Sequence, residues 1–153
     1  MSESKLSVKQ FFINILNAVG TGVVIALLPN ALLGELLKFF KEGHPILELA
    51  YQLVLIIQSF MAFIVGIIAA HQFRFNGAGA TMVGVSAMLG SGAIIFHHGT
   101  VELKGIGDII NTIIVVAIAC ALFLVLRDKL GSLEMILLPV VIPVISGLIG
   151  LTT

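Results

Sequence analysis

The chain has 153 residues, of which 59% are hydrophobic and 10% charged, and its net charge is zero with neutral histidines. A water-soluble domain carries about 25% charged residues, so this composition argues against a soluble globule and for a chain dissolved in lipid. The balanced charge gives no reason to expect a nucleic-acid partner, and the single Cys120 has no second thiol for a disulfide or a thiolate metal site.

The charges are clustered. No Asp, Glu, Lys or Arg lies between Lys9 and Glu35, between Glu48 and Arg74, between Arg74 and Glu102, between Asp108 and Arg127, or after Glu134. Each gap is long enough, or nearly so, for the roughly 20 apolar residues of one membrane crossing. The apolar runs are continuous rather than alternating, so helices are expected rather than barrel strands. The predicted fold is all-α: a polytopic transmembrane helical bundle of about four to five segments, with residues 1–153 forming a single membrane domain. No cofactor is expected.

Segment 1 is predicted over residues 8–28. Lys5 and Lys9 precede it as in a signal peptide, but the run is long and no small-residue cleavage site closes it, so it reads as a retained first helix. On a helical wheel Asn14, Asn17 and Thr21 fall together, beside Ala18, Gly22 and Ala26. That face is expected to point into a bundle, because asparagine is costly in hydrocarbon unless it bonds another helix or touches a polar path. Pro29 and Asn30 punctuate the helix. Residues 31–40 then read as an interfacial helix or the tail of a kinked span.

Segment 2 is predicted over residues 46–73, with Gln52, Ser59, Ala62, Gly66 and Ala70 on one face as a tight seam. Segment 3, residues 78–96, is unusual. Twelve of the seventeen residues from 77 to 93 are Gly, Ala, Ser or Thr. Such a helix suits close packing against neighbours, or a re-entrant element buried in protein. The Gly77-Ala-Gly79 stretch lacks the third glycine, preceding strand and following lysine of a phosphate-binding loop.

The polar stretch from residue 97 to residue 112 is the richest in chemistry. It holds His97, His98, Glu102, Lys104 and Asp108, with Gly99, Gly105 and Gly107 between them. Asp108, Asn111 and Thr112 line up at the start of segment 4, residues 109–126. An acid followed by an amide and a hydroxyl on one face suits a hydroxylated or cationic ligand. Asp108 also sits where a helix cap belongs. His98 and Glu102 are four apart, but the glycines argue against a helix there and two ligands are too few for a metal. Ser91 with His97 or His98 is the only pairing an intramembrane hydrolase could use, and no motif supports it. Residues 127–132 read as a loop, and segment 5, residues 133–151, is interrupted by Pro139 and Pro143. If segment 3 crosses fully, the basic residues favour a cytoplasmic N-terminus by five to three.

Several stretches carry a family resemblance: NAVGTGVVIALLPNALLG from Asn17, GAGATMVGVSAMLGSG from Gly77, GDIINT from Gly107, KLGSLEMILLP from Lys129 and the closing ISGLIGL. Together they resemble a bacterial family of integral membrane proteins, the enzyme IIC sugar transporters of the phosphotransferase system, which also bear the description of toxin regulators. The resemblance implies a multi-pass protein of the bacterial inner membrane. It also implies a sugar substrate and a phosphocarrier subunit that bears the phosphate on its own cysteine or histidine. Members are roughly twice this length, so the chain is expected to be an N-terminal half. The end at Leu151-Thr-Thr, without a basic anchor, agrees with that, and with assembly into a homo-oligomer or with a partner half. The expected substrate-binding residues rest on the wheel and the polar stretch: Asn14, Asn17, His97, His98, Glu102, Asp108 and Asn111. The competing expectation is a non-transporting oligomeric membrane regulator or scaffold, in which the polar stripes serve helix association alone.

Overall fold

A computed structural model describes residues 7–126 and 134–152. The first helix, α1 (Val8–Pro29), starts where Ser7 accepts the Gln10 amide N–H in an N-cap. Its 22 residues reach about 33 Å, enough for the hydrocarbon core. Pro29 does not stop the chain. The backbone widens into a π-helical turn at Asn30–Gly34 and continues as α2 (Glu35–Phe40). Gly43, at φ +77°, makes the turn that Pro45 follows as the first residue of α3 (Pro45–Ser59).

The chain does not continue straight from there. At Phe60 the amide N–H bonds back to Ile57 at 3.1 Å, and α4 (Met61–Gln72) leaves at 46°. The sequence reading of one helix over 46–73 is therefore corrected to a bent pair. No Pro or Gly marks the break. After a turn with Arg74 at φ 59°, Asn76 caps α5 (Gly77–Gly90) by accepting the Gly79 N–H at 2.8 Å.

Segment 3 is also corrected. Its helix stops at Gly90, and residues 94–96 are not helical. They belong to a hairpin of β1 (Ile94–His97) and β2 (Thr100–Leu103), antiparallel, with His97 opposite Thr100 and Ile94 opposite Leu103. Gly90-Ser91-Gly92 ends the helix, and β-branched Ile94 and Ile95 suit a strand. The helix has 14 residues, about 21 Å, less than the roughly 30 Å of hydrocarbon. The last two helices are α6 (Ile109–Leu126) and α7 (Glu134–Thr152). The predicted 127–132 loop, the start of segment 5 and Lys5 lie outside the described residues.

The protein is an all-α helical membrane bundle with one small hairpin. Two described helices, Val8–Phe40 and α6, are long and apolar enough to cross a membrane, and the bent α3–α4 pair makes a third crossing if it acts as one span. The outward faces carry Leu16, Val24, Leu53, Val140, Val144 and Leu148, all exposed, as side chains facing acyl chains should be. The interior is built from Ile15, Met61, Val65, Val83, Val116, Leu138 and Ile142. Dispersion and close packing hold such a core together, since lipid is as apolar as leucine.

Glycines set the closest helix crossings. A Cβ at Gly66 would stand 2.7 Å from the Gly84 Cα, so α4 and α5 touch backbone to backbone. At Gly22 a Cβ would meet Val65 Cγ2 at 2.6 Å, which joins α1 to α4. Gly90 of α5 and Gly150 of α7 meet against Val115 of α6. Near Arg74, Phe11, Phe73, Phe75 and Phe123 stack in a chain with ring centroids 5.1, 5.7 and 4.4 Å apart. Burial on α1 follows Asn14, Ala18, Gly22 and Ala26, while Asn17 and Thr21 are exposed. Their expected inward direction is corrected: they point away from this bundle. Gln52 is likewise exposed, whereas Ser59, Ala62, Gly66 and Ala70 are buried.

Candidate functional site

The chain after α5 folds back on itself to make a cleft. One wall is Ser91 to Ala93 and the other is Lys104 to Asp108. Backbone bonds fix their separation: Lys104 N–H donates to the Ala93 carbonyl and Asp108 N–H to the Ser91 carbonyl, each at 2.7 Å. Gly92 (φ +82°) and Gly107 (φ +77°) supply left-handed corners that other residues rarely adopt. Gly107 also has no room for a side chain, because a Cβ would meet Ser91 Oγ at 2.8 Å.

The cleft holds about 440 Å³ and is lined by Ser91, Gly92, Lys104, Gly105, Ile106, Gly107, Asp108 and Asn111. That is within the range of roughly 300–1,000 Å³ for small-molecule sites. A neighbouring groove of about 330 Å³ between α5 and α7 is walled by Ala78, Met82, Val85, Pro139 and Pro143, with Thr81 as its one polar side chain. It offers little to orient a polar ligand.

The acid and amide of the cleft sit on the first turn of α6. Asp108 Oδ1 accepts the Asn111 N–H at 3.0 Å, and the Asp108 carbonyl accepts the Thr112 N–H at 2.9 Å and its hydroxyl at 2.8 Å. Asp108 is therefore a helix cap and a cleft wall at once. A carboxylate offers about four lone-pair sites and the cap uses one, so capping leaves capacity for a ligand. Asn111 Nδ2 reaches the Gly150 carbonyl at 3.4 Å and ties α6 to the last turn of α7. Lys104 stands on the same wall as Asp108 and lines the cleft with it. The Ser91 hydroxyl donates to the Met88 carbonyl and accepts the Ala93 N–H, each at 3.2 Å. It serves as a turn cap, with no histidine as its partner.

Of the residues expected from sequence, Asp108 and Asn111 line this cleft. His97, His98 and Glu102 stand on the hairpin that grows from its rim. Alternation puts His97, Thr100 and Glu102 on one hairpin face. His97 Nε2 and Glu102 Oε2 are 4.0 Å apart, and both side chains are exposed. Asn14 lies on α1 and its Oδ1 accepts Gln10 Nε2 at 2.9 Å. Asn17 is on the outer side of the same helix. Neither lines the cleft. The expected binding residues left out the opposite wall, Ser91 and Gly92, and also Lys104 beside Asp108. The glycines at 90, 92, 105 and 107 were the signal for a fold-back there. Among the described residues, no three His, Cys, Asp or Glu side chains come together to hold a metal ion.

Within a membrane, backbone outside helices is tolerated only where it is buried in protein or lines a cavity. The short α5 ends on buried Ser91 and Ala93, while residues 96–103 of the hairpin are exposed. Residues 13–153 match the family described as "Phosphotransferase system, EIIC". No curated protein and no solved structure matches the chain.

Proposed function

The chain belongs to the phosphotransferase system EIIC family, a sugar-transporter component of that system, and from that premise we propose that the cleft at the end of α5 is where it binds its sugar. The observation that carries this is the grouping of Asp108, Asn111 and Lys104 around one cavity in an otherwise apolar bundle. A sugar presents hydroxyls that both donate and accept. The Asp108 carboxylate accepts, the Lys104 ammonium donates, and an asparagine amide does both. Hydrogen bonds to charged groups are worth about 1.5–3 kcal/mol each, enough for selective retention of a polyol in a half-enclosed site.

The transporter would work in the bacterial inner membrane as a multi-pass protein, and the phosphate would come from a separate phosphocarrier subunit. Cys120 is fully buried in α6 and suits packing rather than phosphate transfer. The reading includes a second copy or a partner half as neighbour. What supports it is the outward face of α1, where Asn17, Gly20 and Thr21 are exposed although polar groups are costly against lipid.

The test is reconstitution in vesicles with the soluble phosphotransfer proteins and a panel of sugars, scored by sugar-phosphate formed. Asn111→Ala and Lys104→Ala should each lower the rate at least about tenfold with unchanged membrane expression. Wild-type rates in both variants would remove the cleft from the transport path.

A further inference from the structure

We propose that the π-turn at Asn30–Gly34 and the break between α3 and α4 hold a desolvated monovalent cation, sodium or potassium, between Asn30 and Gln58. The antiparallel register of the two arms is pinned at two points. Gly22 meets Val65 below the π-turn, and a Cβ at Gly34, the last residue of that turn, would stand 3.4 Å from Val54 Cγ1. Counting from the Gly34–Val54 contact sets Asn30 across from Gln58, and counting from Gly22–Val65 sets it across from the adjacent Ile57. Asn30 is one turn from Gly34 and Gln58 one turn from Val54, so both share the faces that touch.

Asn30 Oδ1 and Gln58 Oε1 are both buried, and neither accepts a hydrogen bond from the protein. Gly34 makes the space for the first: a Cβ there would collide with Asn30 Oδ1. Backbone oxygens are also released at this level. Pro29 has no N–H, so the Ile25 carbonyl loses its helical donor. The Phe60 N–H turns back to Ile57 and Gln58, so α3 ends here with the negative end of its dipole. π-turns and broken helices with released carbonyls are how membrane proteins build ion sites.

The chemistry selects the ligand. Two buried amide oxygens and helix-end carbonyls are neutral acceptors, which suit a hard cation of single charge. The nearest acid along the chain, Glu35, is bound to Lys38 at 2.8 Å, so no free carboxylate calls for a divalent ion. The site is separate from the sugar cleft, on other helices, and its test needs no sugar.

The purified full-length chain in detergent would be melted in sodium chloride, potassium chloride and choline chloride at equal ionic strength. The unfolding midpoint should rise by about 4 °C in sodium or potassium over choline at a concentration near ten times Kd. Asn30→Leu and Gln58→Met should abolish the difference between salts. Equal wild-type midpoints in all three salts would overturn the proposal, and would mean that the amides hold water or each other. Variants that keep the ion dependence would overturn it too. So would variants more stable in every salt beside an ion-insensitive wild type, the mark of bare buried polar groups. If the variants do not fold, the wild-type comparison decides alone.

Discussion

Glycine does opposite work in two neighbouring regions of this molecule. In the seam of α4, α5 and α7 it brings helices together: Gly66 against Gly84, and Gly90 against Gly150. All four are helical residues in an interior that tolerates no added atom. In the fold-back from residue 91 to residue 108 it lets the backbone turn: Gly92 and Gly107 have positive φ, and the space beside Gly92 is open. The seam is a solid joint and the fold-back is a cavity wall. Substitution in the first should damage folding, and substitution in the second should damage binding.

The largest effect is expected at the seam. Gly66→Leu forces a side chain against the Gly84 Cα and the Val83 carbonyl oxygen, both 2.7 Å from the Cβ position, and neither can rotate away. A loss of about 3 kcal/mol or more is expected, read as a fall of roughly 10 °C in the unfolding midpoint or as aggregation in detergent. A near-native midpoint would mean that α4 and α5 are not in backbone contact. Gly107→Ala should come next, at about 1–3 kcal/mol. The new methyl needs a left-handed backbone and meets Ser91 Oγ, so sugar affinity should fall further than stability alone explains.

Asp108 gives the sharper division, because it is both cap and wall. Asp108→Asn keeps a good cap, so stability should change by less than about 0.5 kcal/mol. Asp108→Ala should lose about 1 kcal/mol as well. Thermal melts of the two variants separate the cap from the ligand role. The smallest effect is expected at Glu102→Gln. The 4.0 Å approach of Glu102 to His97 is exposed, and such pairs contribute about 0–1 kcal/mol. Unchanged stability and unchanged sugar affinity are expected, and a large loss of affinity would extend the site along the hairpin.

The sequence was most readable where one physical signal dominated. Long uncharged runs bounded by charges required helices, because lipid leaves the backbone no other partner. α1 and α6 lie close to where those runs placed them. Asp108 was readable as a cap for the same kind of reason. The break at Phe60 was not, since Ser59-Phe60-Met61 holds no Pro or Gly. Ile94-Ile95-Phe96 looked helical because it is apolar, and only Gly90-Ser91-Gly92 before it signalled the stop. The wheel grouped Asn14 with Asn17, 60° apart at 100° per residue, but Ala18 and Gly22 lie on the other side of Asn14. The neighbour α4 covers the strip through Asn14, Ala18 and Gly22 and leaves Asn17 outside. The cleft was half readable. Its α6 wall carries polar residues at helical spacing, and its other wall is brought close only by tertiary bonds from Ser91 and Ala93.

The most direct measurement is equilibrium binding of labelled sugars to the purified chain, wild type beside Asp108→Asn, with melts of both in the same buffer. The expected result is saturable binding of at least one sugar by the wild type and a loss of about tenfold or more in the variant, with unfolding midpoints within about 2 °C of each other. Equal affinity in the two proteins would contradict a sugar site at the head of α6.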